Sequence, residues 1–270
     1  MTLAEIETDF EPQLDKEAAG APPSVLGKAY LLLAAFDDGH PRLGLTELSR
    51  RSGVPKASAY RLSQELVALG FLDRVDNSYQ LGWRVFELGQ RVPGPAQLRS
   101  VARPVLMDLH TATRAVIHLA VPRGNDTVHL ERIAGRRDSR VQTAIDTRIP
   151  QWFTASGKIF LAHSDQADEA LSALERGEVI PLTPHSICNG RALRSQLAEV
   201  RERRWAAERE ECIEGYKTYA VPITVAGSTE VVAALSATME VARRDDQQVT
   251  HALWAAAHDI GRGLRRRLVW

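Results

Sequence analysis

Lys56, Ala57, Ser58, Tyr60 and Arg61 follow directly on a Gly53-Val54-Pro55 break. Cations and hydroxyls at the start of a helix suit the reading of DNA. An arginine can grip guanine O6 and N7 with two hydrogen bonds, while lysine or a hydroxyl meets phosphate. Far downstream, Trp152-Phe153-Thr154-Ala155-Ser156 leads into another helical run. Free amides and the positive dipole end of such a helix suit a carboxylate. Other chemistries find less support. Trp152 and Ile159 stand where a phosphate loop needs glycine and a hydroxyl residue. A hydrolase built on Ser156 with Lys158, or on Cys212, lacks any sign of an activated nucleophile. The eight histidines show no metal-ligand spacing. His118 and His129 fall in apolar strand candidates and read as core histidines that can meet across a hairpin. Glu208, Glu210 and Glu211 read as a solvated acidic face.

The elements around the first group have a clear order. Thr46 is an expected N-cap, and Leu45, Leu48 and Ser49 give a short buried face. Gly53 ends that helix and Pro55 opens the next. Ala59, Leu62, Leu66 and Leu69 then recur at helical spacing until Gly70. Phe71-Leu72, an Asp76-Asn77-Ser78 turn and Tyr79–Leu81 form a short ribbon with Arg74 beside it. Helix, turn, helix and ribbon describe a winged helix-turn-helix. Thr46 and Arg74 suit phosphate or the minor groove.

The whole chain has room for about two domains. Its net charge is zero, yet residues 1–23 hold six acids against one lysine. The modest basic excess elsewhere is compatible with phosphate contacts. Residues 1–23 read as a disordered acidic tail. Residues 25–36 read as an apolar helix. Residues 24–84 form the expected DNA-binding domain, 85–113 linker helices with one helix from Gln97 to Thr113, and 114–270 a second domain. There, strands are expected at Ala115–Val121, Thr127–Ile133, Val141–Ile145, Tyr219–Val225 and Glu230–Thr238. Helices are expected at Ala155–Ala162, Ala167–Glu175, Arg194–Trp205 and Gln247–Arg267. This mixture predicts an α+β fold with a mainly antiparallel sheet. Two cysteines, Cys188 and Cys212, give neither a disulfide framework nor a metal spacing. With no signal-peptide pattern at the start, a cytoplasmic location is expected.

The stretches TELSRRSGVPKASAYRL, GFL and YQLG, followed by TASGKIFLA, REECIEGYKTYAVPI and VVAALSATM, resemble IclR-type transcriptional regulators over roughly residues 24–267. Two positions depart from the pattern: Ala57 replaces a hydroxyl residue, and Trp152-Phe153 replaces a smaller, more polar pair. The resemblance implies a winged-helix domain, a linker helix and a GAF/profilin-like effector domain. It implies dimers through the DNA-binding domains, often joined as tetramers. It also implies that Thr154, Ala155, Glu208, Thr218, Ser236 and Thr238 line a ligand pocket, with Trp152, Phe153, Tyr216 and Tyr219 adding aromatic surface. The expected function is a ligand-responsive regulator, a repressor, that binds a palindromic operator and a small organic acid, aromatic acids included. No cofactor, metal or membrane partner is expected. The alternative is a small-molecule sensor whose helical front end serves only assembly.

Overall fold

The computed structural model describes residues 24–37, 39–135, 148–165, 167–177, 179–225 and 228–264. The expected tail over 1–23, the expected strand Val141–Ile145 and the terminal Arg265-Arg266-Arg267 lie outside them. The chain divides into two compact units between Val92 and Pro93.

The first unit opens with α1 (Val25–Leu33), capped by the Ser24 hydroxyl and ending three residues before the expected Phe36. A two-residue strand, β1 (Leu43–Gly44), leads into α2 (Leu45–Ser52). Gly44, not Thr46, is the N-cap of α2, and Thr46 lies exposed in its first turn. The cause is strand β1, which pairs with the ribbon and holds Gly44 extended, so the helix begins two residues earlier. Gly53 closes α2 with φ +66°, a left-handed conformation that side chains resist. The Ser49 hydroxyl spans the turn by donating to the Val54 carbonyl at 2.7 Å. α3 (Lys56–Ala68) then buries Ala59, Leu62, Ser63 and Leu66, the one stripe that a helix period allows. β2 (Leu72–Val75) and β3 (Ser78–Leu81) form the wing, in strand order β1-β3-β2. α4 (Trp83–Gly89) completes the unit.

The second unit begins with α5 (Pro93–Thr113), which starts earlier than the expected Gln97 because proline suits a first helical turn. The expected 85–113 linker is therefore divided, with α4 in the first unit and α5 in the second. Leu98, Ala102, Leu106 and Leu109 fix α5 in the second unit's core. The sheet comprises β4 (Val116–Arg123), β5 (Asp126–Ile133), β6 (Arg148–Pro150), β7 (Ala206–Arg209), β8 (Tyr216–Thr224) and β9 (Val231–Glu240). Its order is β6-β5-β4-β9-β8-β7, and every pairing is antiparallel. Helices α6 (Ala155–Ala162), α7 (Ala167–Glu175) and α8 (Gly190–Arg203) cover one face. α5 and α9 (Asp246–Leu264) cover the other. A strand covered on both faces has no solvated side, which is why β4 reads as an almost continuous apolar run. The short edge strands β6 and β7 were not expected. The helix expected from Arg194 starts at Gly190, where the Asn189 side chain accepts from the Ala192 amide at 2.8 Å.

One irregularity positions side chains. Ala120 pairs with His129, but Leu119 pairs with Glu131, so Leu130 is an extra residue on β5. Such a bulge re-aims the side chains beyond it. His129 faces the α6 side, whereas Glu131 follows Leu119 to the α5 side. There it accepts from Arg99 Nε at 2.8 Å and from Arg103 Nη1 at 3.2 and 3.1 Å.

Candidate functional site

In the first unit, α3 presents Lys56, Ala57, Tyr60 and Arg61 exposed on one face, with Ser58 half-buried. Neither Lys56 nor Arg61 has an ion-pair partner among the described residues. The other arginines nearby are engaged. Arg51 bonds Asp37 and the Ala35 carbonyl, Arg50 bonds Glu47, and Arg42 donates to Gln80 at 3.1 Å. Arg74 is exposed on the wing and makes a long contact to the Asp76 carbonyl at 3.4 Å. The Gln64 side chain donates to the Tyr79 hydroxyl at 3.1 Å, which ties α3 to the wing. The face therefore offers free cations on a braced helix, the arrangement needed to meet phosphates and base edges.

In the second unit a cavity lies between the sheet and the start of α6. It is lined by His118, His129, Ile149, Thr154, Ala155, Ser156, Glu208, Cys212, Ile213, Tyr216, Thr218, Ser236 and Thr238. Register explains the floor. Glu208, Thr218 and Thr238 stand side by side across β7, β8 and β9, while Ser236 pairs with His118 in the next row. The Thr218 and Thr238 hydroxyls are 3.0 Å apart. The roof is the first turn of α6. Thr154 caps it by accepting from the Gly157 amide at 2.9 Å, and its hydroxyl also meets that of Thr127 at 3.0 Å. The Ala155 and Ser156 amides are left as the open donors of that turn. Gly157 sets the height of the roof: a Cβ there would lie 2.1 Å from the Gln151 carbonyl oxygen.

Burial controls the charges. Glu208 is buried, and this pushes its carboxyl up to about 7, although a Thr218 hydrogen bond and the Lys158 charge pull the other way. Its Oε2 accepts from the Glu211 amide at 3.0 Å. Lys158, on α6, is fully buried and donates to both Glu211 oxygens at 2.7 Å. Burial pushes this lysine down and Glu211 up, and each partner offsets part of the other's shift. The His118 and His129 rings lie 4.8 Å apart. Burial takes His129 down to about 4 and His118 well below its ordinary value, so both are neutral near pH 7. Burial also pushes the Cys212 thiol up to about 12, which makes it a poor nucleophile.

Residues 25–76 match the IclR helix-turn-helix domain, and residues 91–264 match the bacterial transcriptional regulator IclR C-terminal domain. The chain belongs to the IclR family of transcriptional regulators. It is 30% identical to the HTH-type transcriptional regulator XynR of Escherichia coli K12 over 83% of this chain and 89% of that one. Its identity to the E. coli regulator KdgR is 32%, over 78% of this chain and 79% of KdgR. Among solved structures, an IclR homolog from Microbacterium hydrocarbonoxydans complexed with 4-hydroxybenzoate superposes with a TM-score of 0.82. That likeness has 28% identity and covers 90% of this chain and 99% of the homolog. This IclR-family protein thus joins a DNA-binding domain to an effector domain and is a transcriptional regulator. The helix-turn-helix match sets aside the reading in which the front end serves only assembly. Among the described residues no helix is long and apolar enough to cross a membrane.

Within this IclR-family frame, the cavity collects Thr154, Ala155, Glu208, Thr218, Ser236 and Thr238, as well as Tyr216. Trp152 and Phe153 are a correction. A 3-10 turn, Gln151–Phe153, directs both into the core beneath α6, away from the cavity lining. Tyr219 is a second, since it packs on the α5 face against Trp205 with centroids 5.7 Å apart. Glu208 and Glu211 are a third, because both are buried and not a solvated face. Sequence reasoning missed Ile149, Cys212 and Ile213 as lining residues, and named Ser156 only as part of the loop that opens the helix. It placed His118 and His129 together but gave them no role in a site.

Proposed function

We propose that this regulator is a cytoplasmic repressor that binds a palindromic operator as a dimer and releases it on taking up a small organic acid, aromatic acids included. The observation carrying this reading is the open first turn of α6 over a floor of hydroxyls. The Ala155 and Ser156 amides offer donors and a positive dipole end to a carboxylate, while Ser236 and Thr238 satisfy its second oxygen. The 4-hydroxybenzoate complex of the Microbacterium homolog supports the same ligand class. The cavity here is about 30 Å³, room for roughly two waters. An aromatic acid enters by displacing a wall, and the DNA-bound and free forms of the protein differ in their affinity for it. Coupling follows from unequal ligand affinity in the two forms. Exposed Val25 and Leu26 on α1, with Trp83 and Phe86 on α4, supply apolar surface for pairing copies. On DNA, Arg61 reads a base while Lys56, Ser58, Thr46 and Arg74 meet the backbone; Ala57 and Tyr60 pack against base edges.

Gel shifts at fixed salt test the DNA half. Arg61→Ala weakens operator binding more than binding to random DNA, by a factor of about 5–150, the worth of one bidentate base contact. Equal loss on both sequences overturns base reading. Thermal shift with benzoate, 4-hydroxybenzoate and pyruvate, alongside neutral benzamide and basic benzylamine, tests the effector half. Stabilisation by neutral or basic compounds alone overturns the carboxylate reading.

A further inference from the structure

Glu208 presents a difficulty that the carboxylate reading must meet. It is the one acid among the residues lining the cavity, and it is 4% exposed. Its nearest counter-charge is already engaged, because Lys158 binds both oxygens of Glu211. The other titratable groups around it are Cys212 beside it, Tyr216 on β8, and the neutral His118 and His129 on β4 and β5. With Glu208 ionised, this buried cluster holds two carboxylates against one ammonium. A bound acid would make three, and two carboxylates sharing one desolvated site cannot both stay ionised.

Resting on that carboxylate reading, we infer that an acid effector enters together with one proton from solvent, and that Glu208 holds this proton as a carboxylic acid that donates to the effector's carboxylate. The step is a proton transfer alone: the buffer acid gives up one proton, which forms the O–H bond of the Glu208 carboxylic acid. The protein side is suited to this. Glu208 Oε2 is oriented by the Glu211 and Cys212 amides at 3.0 and 3.4 Å, which fixes the carboxyl group toward the cavity. Protonation converts the one repulsive group in the cavity into a donor, and a hydrogen bond to a charged oxygen is stronger than a neutral one. Glu208 therefore selects anionic effectors in its acid form and rejects them in its ionised form. The position acts as a pH-weighted specificity element.

The pH dependence has a definite sign. Burial raises the Glu208 carboxyl to about 7, so below that value the proton is already present and affinity is flat. Above it the proton must be taken up, and the fall in affinity steepens toward tenfold for each further pH unit.

Isothermal titration of the full chain with 4-hydroxybenzoate, benzoate and pyruvate tests this. Titrations at pH 6, 7 and 8, in buffers of different ionisation enthalpy, count the protons taken up. The expected result is uptake approaching one proton per acid at pH 8, with affinity about fivefold weaker than at pH 7. In Glu208→Gln, which keeps a donor but cannot ionise, uptake falls toward zero and affinity becomes level across this range. Binding without proton uptake in the unaltered chain overturns the inference while sparing the carboxylate reading. Unchanged uptake in Glu208→Gln also overturns it, moving the proton to His118 or His129. Failure of all three acids to bind at pH 6 overturns the carboxylate reading and this inference together.

Discussion

Replacing Lys158 by methionine is the sharpest test of how α6 is held. The side chain has no exposure to solvent, and its ammonium contacts both oxygens of buried Glu211. Removing one member of such a pair leaves an uncompensated buried charge, which costs about 3–5 kcal/mol. The charge left behind is a carboxylate, so the cost depends on pH. Without Lys158, both Glu211 and Glu208 lose the cation that pulls them down. Their folded-state values rise further above the unfolded value of 4.5. The penalty is full above the raised values and shrinks by about 1.4 kcal/mol per pH unit as pH falls toward 4.5. Calorimetric or urea unfolding of the full chain at pH 8 and pH 5 measures it. Lys158→Met is expected to lose about 3–5 kcal/mol at pH 8 and about 1 kcal/mol at pH 5. Adding Glu211→Leu removes the second charge, and the double variant recovers most of the loss. Equal losses at both pH values would assign the effect to packing, and a double variant worse than either single one would refute a charge origin.

Other expectations follow from the same cavity. Gly157→Ala forces a Cβ to within 2.1 Å of the Gln151 carbonyl oxygen; it should cost about 1–3 kcal/mol and lower the melting temperature, and an unchanged melting temperature would contradict the close approach. His129 titrates at about 4 in the folded chain against 6.5, so the unfolded chain binds its proton first as pH falls. Stability should drop by about 3 kcal/mol between pH 6.5 and 4 from this group alone. His129→Leu should flatten that limb of the stability profile in urea unfolding, and an unaltered slope would refute the assignment.

The DNA-reading unit was legible because its signals are local. Gly53, Pro55 and the spacing of Leu62 and Leu66 act through sterics within a few residues, and they fixed α2 and α3 to within a residue or two. The Ala155–Ala162 helix was equally plain, as its apolar run is bounded by Thr154 and by a break at His163. The cavity was harder. Trp152 and Phe153 precede Thr154 directly, but a 3-10 turn rotates them into the core, and periodicity cannot distinguish a core aromatic from a ligand aromatic. Lys158 and Glu211 are 53 residues apart, and only the fold brings them together, so Glu211 read as part of a solvated face and Lys158 only as a partner for Ser156. Strands β6 and β7 hold too few residues to show alternation. The placement of Glu131 on the α5 side was hidden by the register shift at Leu130, which no single-strand pattern reveals.

That extra residue sorts charge between the two sides of the sheet. In an unbulged β5, Leu130 would pair with Leu119 and Glu131 would pair with His118, sharing the face that lines the cavity. The chamber would then carry a second acid beside Glu208, and Arg99 and Arg103 on α5 would lose the carboxylate they hold. Chain length at this point therefore matters to ligand choice as much as side-chain identity. Another apolar residue at 130 leaves the partition intact, whereas one further residue inserted between His129 and Glu131 would transfer an anion from a structural clamp into a recognition chamber.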